Sequence, residues 1–251
     1  MPPRTALGRP LGAALGRPLG AALGWLVAPP LCWGCRRPAR GGEPLCARCR
    51  ASLQRPAPEP VRLCGVPVWA PVAYSGAARA LVHALKFHGA RGAADAMAAQ
   101  IAANAPAGWL AHPPAAEPFG RLAQAAAEPG RGAPVLVPVP LHPRRLRSRG
   151  FNQAALIAAA LGVRTGLAVE DCLVRGGSAR TQVGRDRAER RTGPAGEIVL
   201  REGAERGPAG RILLVDDVVT TGATLGACAA ALRTGHSVEV AAVGFARTLG
   251  R

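Results

Sequence analysis

Two adjacent acids, Asp216 and Asp217, close an apolar run in RILLVDDVVTTGAT (211–224), and a hydroxyl-rich loop containing a glycine follows them. Successive backbone N–H groups at the start of a helix, together with the hydroxyls of Thr220, Thr221 and Thr224, make a cradle for a phosphate monoester. Gly222 lets the backbone come close to the anion. Two carboxylates beside a phosphate would repel it, so they need donors of another kind. The vicinal hydroxyls of a ribose are such donors, and a sugar 5-phosphate satisfies both the acids and the cradle. The competing readings are a Walker-type or two-metal aspartate motif and a plain pair of capping acids. No G-x-x-x-x-G-K-[ST] stretch accompanies the first.

A second chemical cluster lies near the N-terminus. Cys32, Cys35, Cys46 and Cys49 are spaced C-x2-C-x10-C-x2-C within CWGCRRPARGGEPLCARC. Each C-x2-C lets two thiolates meet one ion from a tight turn, and two such turns complete a tetrahedron. Four thiolates indicate a closed structural Zn²⁺ site, and a ribbon this rich in Gly, Pro and Arg needs the ion to fold. Disulfides or redox-active pairs are the alternative; the odd total of seven cysteines and the lack of a secretory signal weigh against a disulfide framework. Cys64 has no partner in its own stretch and reads as a remnant of another metal knuckle. Cys172 and Cys228 read as buried thiols.

A chain of 251 residues suffices for one sizeable domain and a small one, and 49% hydrophobic content with only 4% aromatics implies a core of Leu, Val and Ala. The net charge of +17 suits a polyanionic partner such as nucleic acid. It also suits a composition bias, since every basic residue but Lys86 is arginine or histidine and Ala, Gly and Pro abound. Against that bias Lys86 and Asn152 are rare types that something chemical holds in place. No run of about 20 apolar residues is present, so no membrane span is expected. Residues 1–29 carry a short repeat and read as a low-complexity lead-in, 30–55 as the ribbon module and 61–251 as the main domain. A cytoplasmic location is expected.

The main domain must position the acids. VPVWAPVAY (66–74) reads as a strand, and SGAARALVHALKFHG (75–89) as a helix capped by Ser75 and stopped by Gly89. A second alanine-rich helix covers 91–104, and 105–133 reads as a loop or insertion. A strand in 133–142 leads into a basic turn, PRRLRSRG, and a helix from 151. The arginine-dense 178–194 reads as a loop or an exposed helix. GEIVL and GRILLV are strands, ATLGACAAALRTG a helix ended by Gly235, and SVEVAAVGFAR a final strand. This alternation predicts an α/β fold with a parallel sheet flanked by helices, in which ligands bind at the carboxyl ends of strands.

LLVDDVVTTGAT resembles the phosphoribosyl pyrophosphate (PRPP) motif of type I phosphoribosyltransferases. Together with the four-cysteine ribbon, LKFHG, VPVPLHPRRLRSRGFNQA and RTQVGRDRAERR in this order, it resembles the ComF family, an amidophosphoribosyltransferase-like group linked to natural competence and DNA uptake. The resemblance spans about residues 30–248. It implies a type I phosphoribosyltransferase fold with a zinc ribbon, and PRPP binding with Mg²⁺. Asp216 and Asp217 would bind the ribose hydroxyls, and Val218, Thr220, Thr221, Gly222, Ala223 and Thr224 would complete the PRPP site. The loop 137–142, with Val139 and Pro140, and then Arg144, Arg145 and Lys86 would lie on the pyrophosphate side. Arg180, Gln182 and Arg191 would sit on a closing loop, where Thr192 departs from the family's usual Asn. In transfer, pyrophosphate would leave C1 with oxocarbenium character and an unknown acceptor would add. The resemblance also implies single-stranded DNA or competence helicase machinery as partners, either beside catalysis or in its place as a non-catalytic accessory protein.

Overall fold

The computed structural model describes residues 30–39, 42–111, 132–176, 198–204, 210–234 and 238–249. The lead-in, most of the 105–133 insertion, the 178–194 segment with Arg180, Gln182 and Arg191, and Gly235 lie outside the described residues.

Ile212 to Val215 is buried on both sides, as a central strand of a covered parallel sheet must be. This strand, β7 (Gly210–Val219), pairs in parallel with β8 (Val238–Arg247) on one side and with β4 (Val135–Pro138) on the other. Beyond β8 lie β2 (Val66–Trp69) and β3 (Val72–Ala73), both parallel to it, and β1 (Val61–Leu63) folds back antiparallel on β2. The order is β1-β2-β8-β7-β4. VPVWAPVAY therefore makes two strands rather than one, interrupted at Ala70 and at Pro71, which has no N–H to give. Pro138 is tolerated because β4 lies at the end of this order.

The pleat of β7 sends alternate side chains to two cores. Leu213 and Val215 join α2 (Gly76–Phe87), α3 (Gly92–Asn104) and α5 (Gln153–Thr165). Ile212 and Leu214 join α6 (Ala223–Arg233) and the antiparallel pair β5 (Leu173–Arg175) and β6 (Ile198–Leu200). Cys172 and Cys228 are buried in this second core, as read from the sequence. The fold is thus α/β, with a mostly parallel sheet flanked by helices. No helix among the described residues is long and apolar enough to cross a membrane.

Three local expectations change. PRRLRSRG is not a turn but a short helix, α4 (Pro143–Arg149), with Pro143 in its first turn and Gly150 in the left-handed conformation after it. The run of arginines hid this start signal and this stop signal. Ser75 does precede α2, but its hydroxyl donates to Gln54 at 2.9 Å instead of capping the helix. The central strand also runs on through both acids to Val219.

The cysteine module has no separate core. Cys32, Leu45, Cys49 and Leu53 share one apolar cluster with Trp69, Val72 and Leu81. The Ala73 N–H donates to the Gln54 carbonyl at 2.8 Å, and Trp33 stacks on His88 at 5.4 Å, just past the end of α2.

Candidate functional site

The ends of β4 and β7, the loop after β7 and the start of α5 surround a cleft of about 330 Å³. It lies where an α/β sheet presents its strand ends to ligands. Asp216, Asp217, Val218, Thr220 and Thr224 line it from β7 and its loop, facing Val139, Pro140 and Leu141. Lys86 and Arg145 also line it, whereas Arg144, Thr221, Gly222 and Ala223 do not.

Successive residues of a strand point to opposite faces, so the two acids diverge. Asp217, only 6% exposed, faces the α2 layer and forms an ion pair with Lys86 at 2.8 Å. Asp216 faces the α6 layer, and one of its oxygens accepts the Asp217 backbone N–H at 2.8 Å. Burial pushes the Asp216 carboxyl up to about 7; the Asp217 carboxylate adds to this, while the Asp217 N–H and Lys86 oppose it.

Gly222 caps α6 with φ +79°, and no side chain occupies the N-terminal cap of that helix. Its first-turn N–H groups beyond Ala223 have no side-chain cap and can meet an anion. Thr221 Oγ1 accepts the Ala223 N–H at a long 3.5 Å. A Cβ on Gly222 would come within 2.5 Å of Leu63 Cβ, and one on Gly226 within 2.8 Å of Cys64 Cβ. The turn between β1 and β2 is thus seated in a groove made by two glycines four residues apart on α6. Cys64, placed here with its sulfur 3.7 Å from the Thr221 carbonyl, props the loop and stands apart from the four-cysteine cluster.

Sequence reasoning did not single out Tyr74, Arg149, Gln153 or Arg175, all of which line the cleft. Gln153, 1% exposed, accepts a hydrogen bond from Arg149 at 2.9 Å and so holds that guanidinium at the cleft wall. Burial lowers the proton affinity of Arg149, and Asp217 offsets this. Asn152, flagged by its rarity, has a structural task. Its Oδ1 accepts the Ala154 N–H at 3.1 Å to cap α5, and its Nδ2 donates to the Val139 carbonyl at 3.0 Å, tying helix to cleft loop. Nothing distinguished Arg149 and Arg175 from the chain's many other arginines.

The second site is the cysteine cluster. The sulfurs of Cys32, Cys35, Cys46 and Cys49 lie within 4.8 Å of one another, positioned to hold one metal ion. Cys49 belongs to α1 (Ala47–Ala51), and the Cys46 N–H donates to Cys32 Sγ at 3.3 Å. Burial and the three neighbouring sulfurs push the Cys49 thiol up to about 12. Cys32 goes the other way, to about 6: burial would raise it, but the backbone N–H groups of Cys46, Cys35 and Gly34 prevail. Four thiols this close cannot all ionise without a cation between them, and a metal ion supplies that charge.

No protein-family model matches this chain, and no curated protein matches it. Among solved structures, that of the allosteric regulatory enzyme of purine biosynthesis is similar over 43% of this chain and 21% of its own, at 23% identity and a TM-score of 0.28. The matched part therefore spans about a fifth of that enzyme's length.

Proposed function

We propose that the cleft binds PRPP and that the domain has a type I phosphoribosyltransferase fold. The observation that carries this reading is that Asp216, Asp217, Thr220 and Thr224 line one cleft together with Lys86 and three arginines. The acids accept the ribose hydroxyls, and the loop before α6 takes the 5-phosphate. Arg145, Arg149 and the loop at Val139 and Pro140 meet the pyrophosphate. In transfer, cations at the leaving group stabilise charge as pyrophosphate departs from C1. Mg²⁺ would enter with the donor. The four cysteines suit Zn²⁺, because an all-thiolate tetrahedron leaves no open position for catalysis.

Calorimetric titration with PRPP is expected to show binding that Asp216→Asn or Asp217→Asn weakens about 10–100-fold, the worth of a hydrogen bond to a charged group. Equal affinity in the variants would overturn the assignment. Pyrophosphate release with a panel of bases and amines then decides whether transfer follows binding.

The raised Asp216 value gives this reading a pH signature. The folded state favours the protonated carboxyl, so its contribution to stability is full below the ordinary carboxylate range and is lost as pH rises through about 7. Ribose hydroxyls favour the ionised form, so donor affinity rises over the same interval and binding releases a proton. Melting temperatures at about pH 5 and about pH 8, with and without PRPP, are expected to show ligand stabilisation growing with pH, and Asp216→Asn to flatten that growth.

A second reading, binding of single-stranded nucleic acid in DNA uptake, is favoured by one observation. Three aromatic rings near the end of α2 carry guanidinium groups: Arg36 over Trp33 at 5.1 Å, Arg91 over Phe151 at 5.0 Å and Arg149 over Phe87 at 5.3 Å. Phe87 is 61% exposed, open to a stacked base. Such binding would weaken steeply with salt and vanish by about 0.5 M. An oligonucleotide titration across salt concentrations tests it, and salt-independent binding would reject it.

A further inference from the structure

We infer that Lys86 is the resident cation of the ribose-side carboxylates, so that the cleft holds its sugar-phosphate donor without a metal ion on Asp216 or Asp217. This rests on the donor reading above.

The place a divalent ion would take on Asp217 is already filled. Lys86 Nζ lies 2.8 Å from Asp217 Oδ1, and both side chains are largely withdrawn from water, at 20% and 9% exposure. The carboxylates also fail to converge. Asp217 turns to α2 while Asp216 turns to the other face of the sheet and spends an oxygen on a backbone N–H. Magnesium at a phosphate site is commonly held by one or two carboxylates together with the substrate's phosphates. Here each acid already has one oxygen engaged, by the Lys86 ammonium and by a backbone N–H.

The residue type fits the task. Lys86 is the chain's single lysine among many arginines. An ammonium is a compact point charge that replaces an ion on one oxygen and leaves the other for a donor. Its position in the last turn of α2, where the helix C-terminus favours positive charge, holds it there. The phosphate oxygens find their own partners in Arg145, Arg149 and Arg175. Magnesium ions in solution therefore ride on the donor's diphosphate and add modestly to affinity.

The test is calorimetric titration of the full chain with PRPP in magnesium-containing buffer and in magnesium-free buffer, the zinc content being checked in both. The expected result is a dissociation constant without magnesium within about 10-fold of that with it, little more than one ordinary interaction. A loss beyond about 100-fold in the parent overturns the inference while leaving the donor assignment standing. No binding in either buffer overturns the donor assignment itself. Lys86→Met is expected to raise the ratio between the two buffers to about 100-fold, because it leaves the Asp217 carboxylate uncompensated, so that the donor binds well only when magnesium neutralises its own phosphates. A ratio equal to the parent's overturns the inference. Should Lys86→Met not fold, Lys86→Arg keeps the charge and is expected to keep the ratio below about 10-fold; a higher ratio would count against a role for charge.

Discussion

Cys49→Ser is expected to cost the protein its metal ion and with it about 10 °C or more of melting temperature, the shift that follows from roughly 3–5 kcal/mol in a chain of this size. Cys49 is buried and sits among the other three sulfurs, so serine removes one ligand of four and leaves the remaining thiolates without sufficient countercharge. The effect does not stay in the module. Cys32, Leu45 and Leu53 belong to the same apolar cluster as Trp69, Val72 and Leu81, so loosening the ribbon exposes the side of the sheet layer that α2 covers. Metal analysis of the parent should give one zinc per chain, and thermal unfolding of parent and variant measures the shift. A metal-free parent that melts cooperatively at the same temperature as the zinc-loaded protein would reject the site.

Asp217→Ala is expected to destabilise the protein by about 3–5 kcal/mol, because it leaves the Lys86 ammonium withdrawn from water with its ion-pair partner gone. The prediction is large because of burial, since an exposed pair contributes about 1 kcal/mol or less. The double variant Lys86→Met/Asp217→Leu should recover most of that loss, as replacement of both charges by apolar groups of similar size often does. Donor binding should fail in both variants, which separates the acid's chemical task from its structural one. Chemical denaturation of the parent and both variants measures this. A single variant within about 0.5 kcal/mol of the parent would show that the pair is solvated after all.

The parts of this molecule that repeat along the chain were legible from it. Apolar runs alternating with alanine-rich helices give the sheet and its layers, because burial imposes periods of 2 and 3.6. Asp216, Asp217, Thr220 and Thr224 are close in sequence, so the stretch that lines the cleft could be read directly, as could the paired C-x2-C turns. What was not legible depends on long-range packing. Lys86 meets Asp217 only because α2 lies over the ends of the central strands, and no local pattern reports that. Arg149 and Arg175 enter the cleft from separate elements and look like any other arginine in the chain. Cys64, lacking a nearby second cysteine, suggested a lost metal knuckle; the structure places it against Gly226 and the Thr221 carbonyl, where size and reach matter. The helix at Pro143–Arg149 went unread because charge density obscured an ordinary Pro-start and Gly-stop signature.

The divergence of Asp216 and Asp217 has a thermodynamic consequence. The two acids face different packing units, one made with α2, α3 and α5 and the other with α6 and the β5–β6 pair. A ligand gripping both carboxylates therefore fastens the two units together through the sheet. Local opening of either one would cost the bound protein the ligand's free energy as well as its own. Occupancy of a small cleft at one end of the strands is in this way felt as rigidity across the whole thickness of the fold.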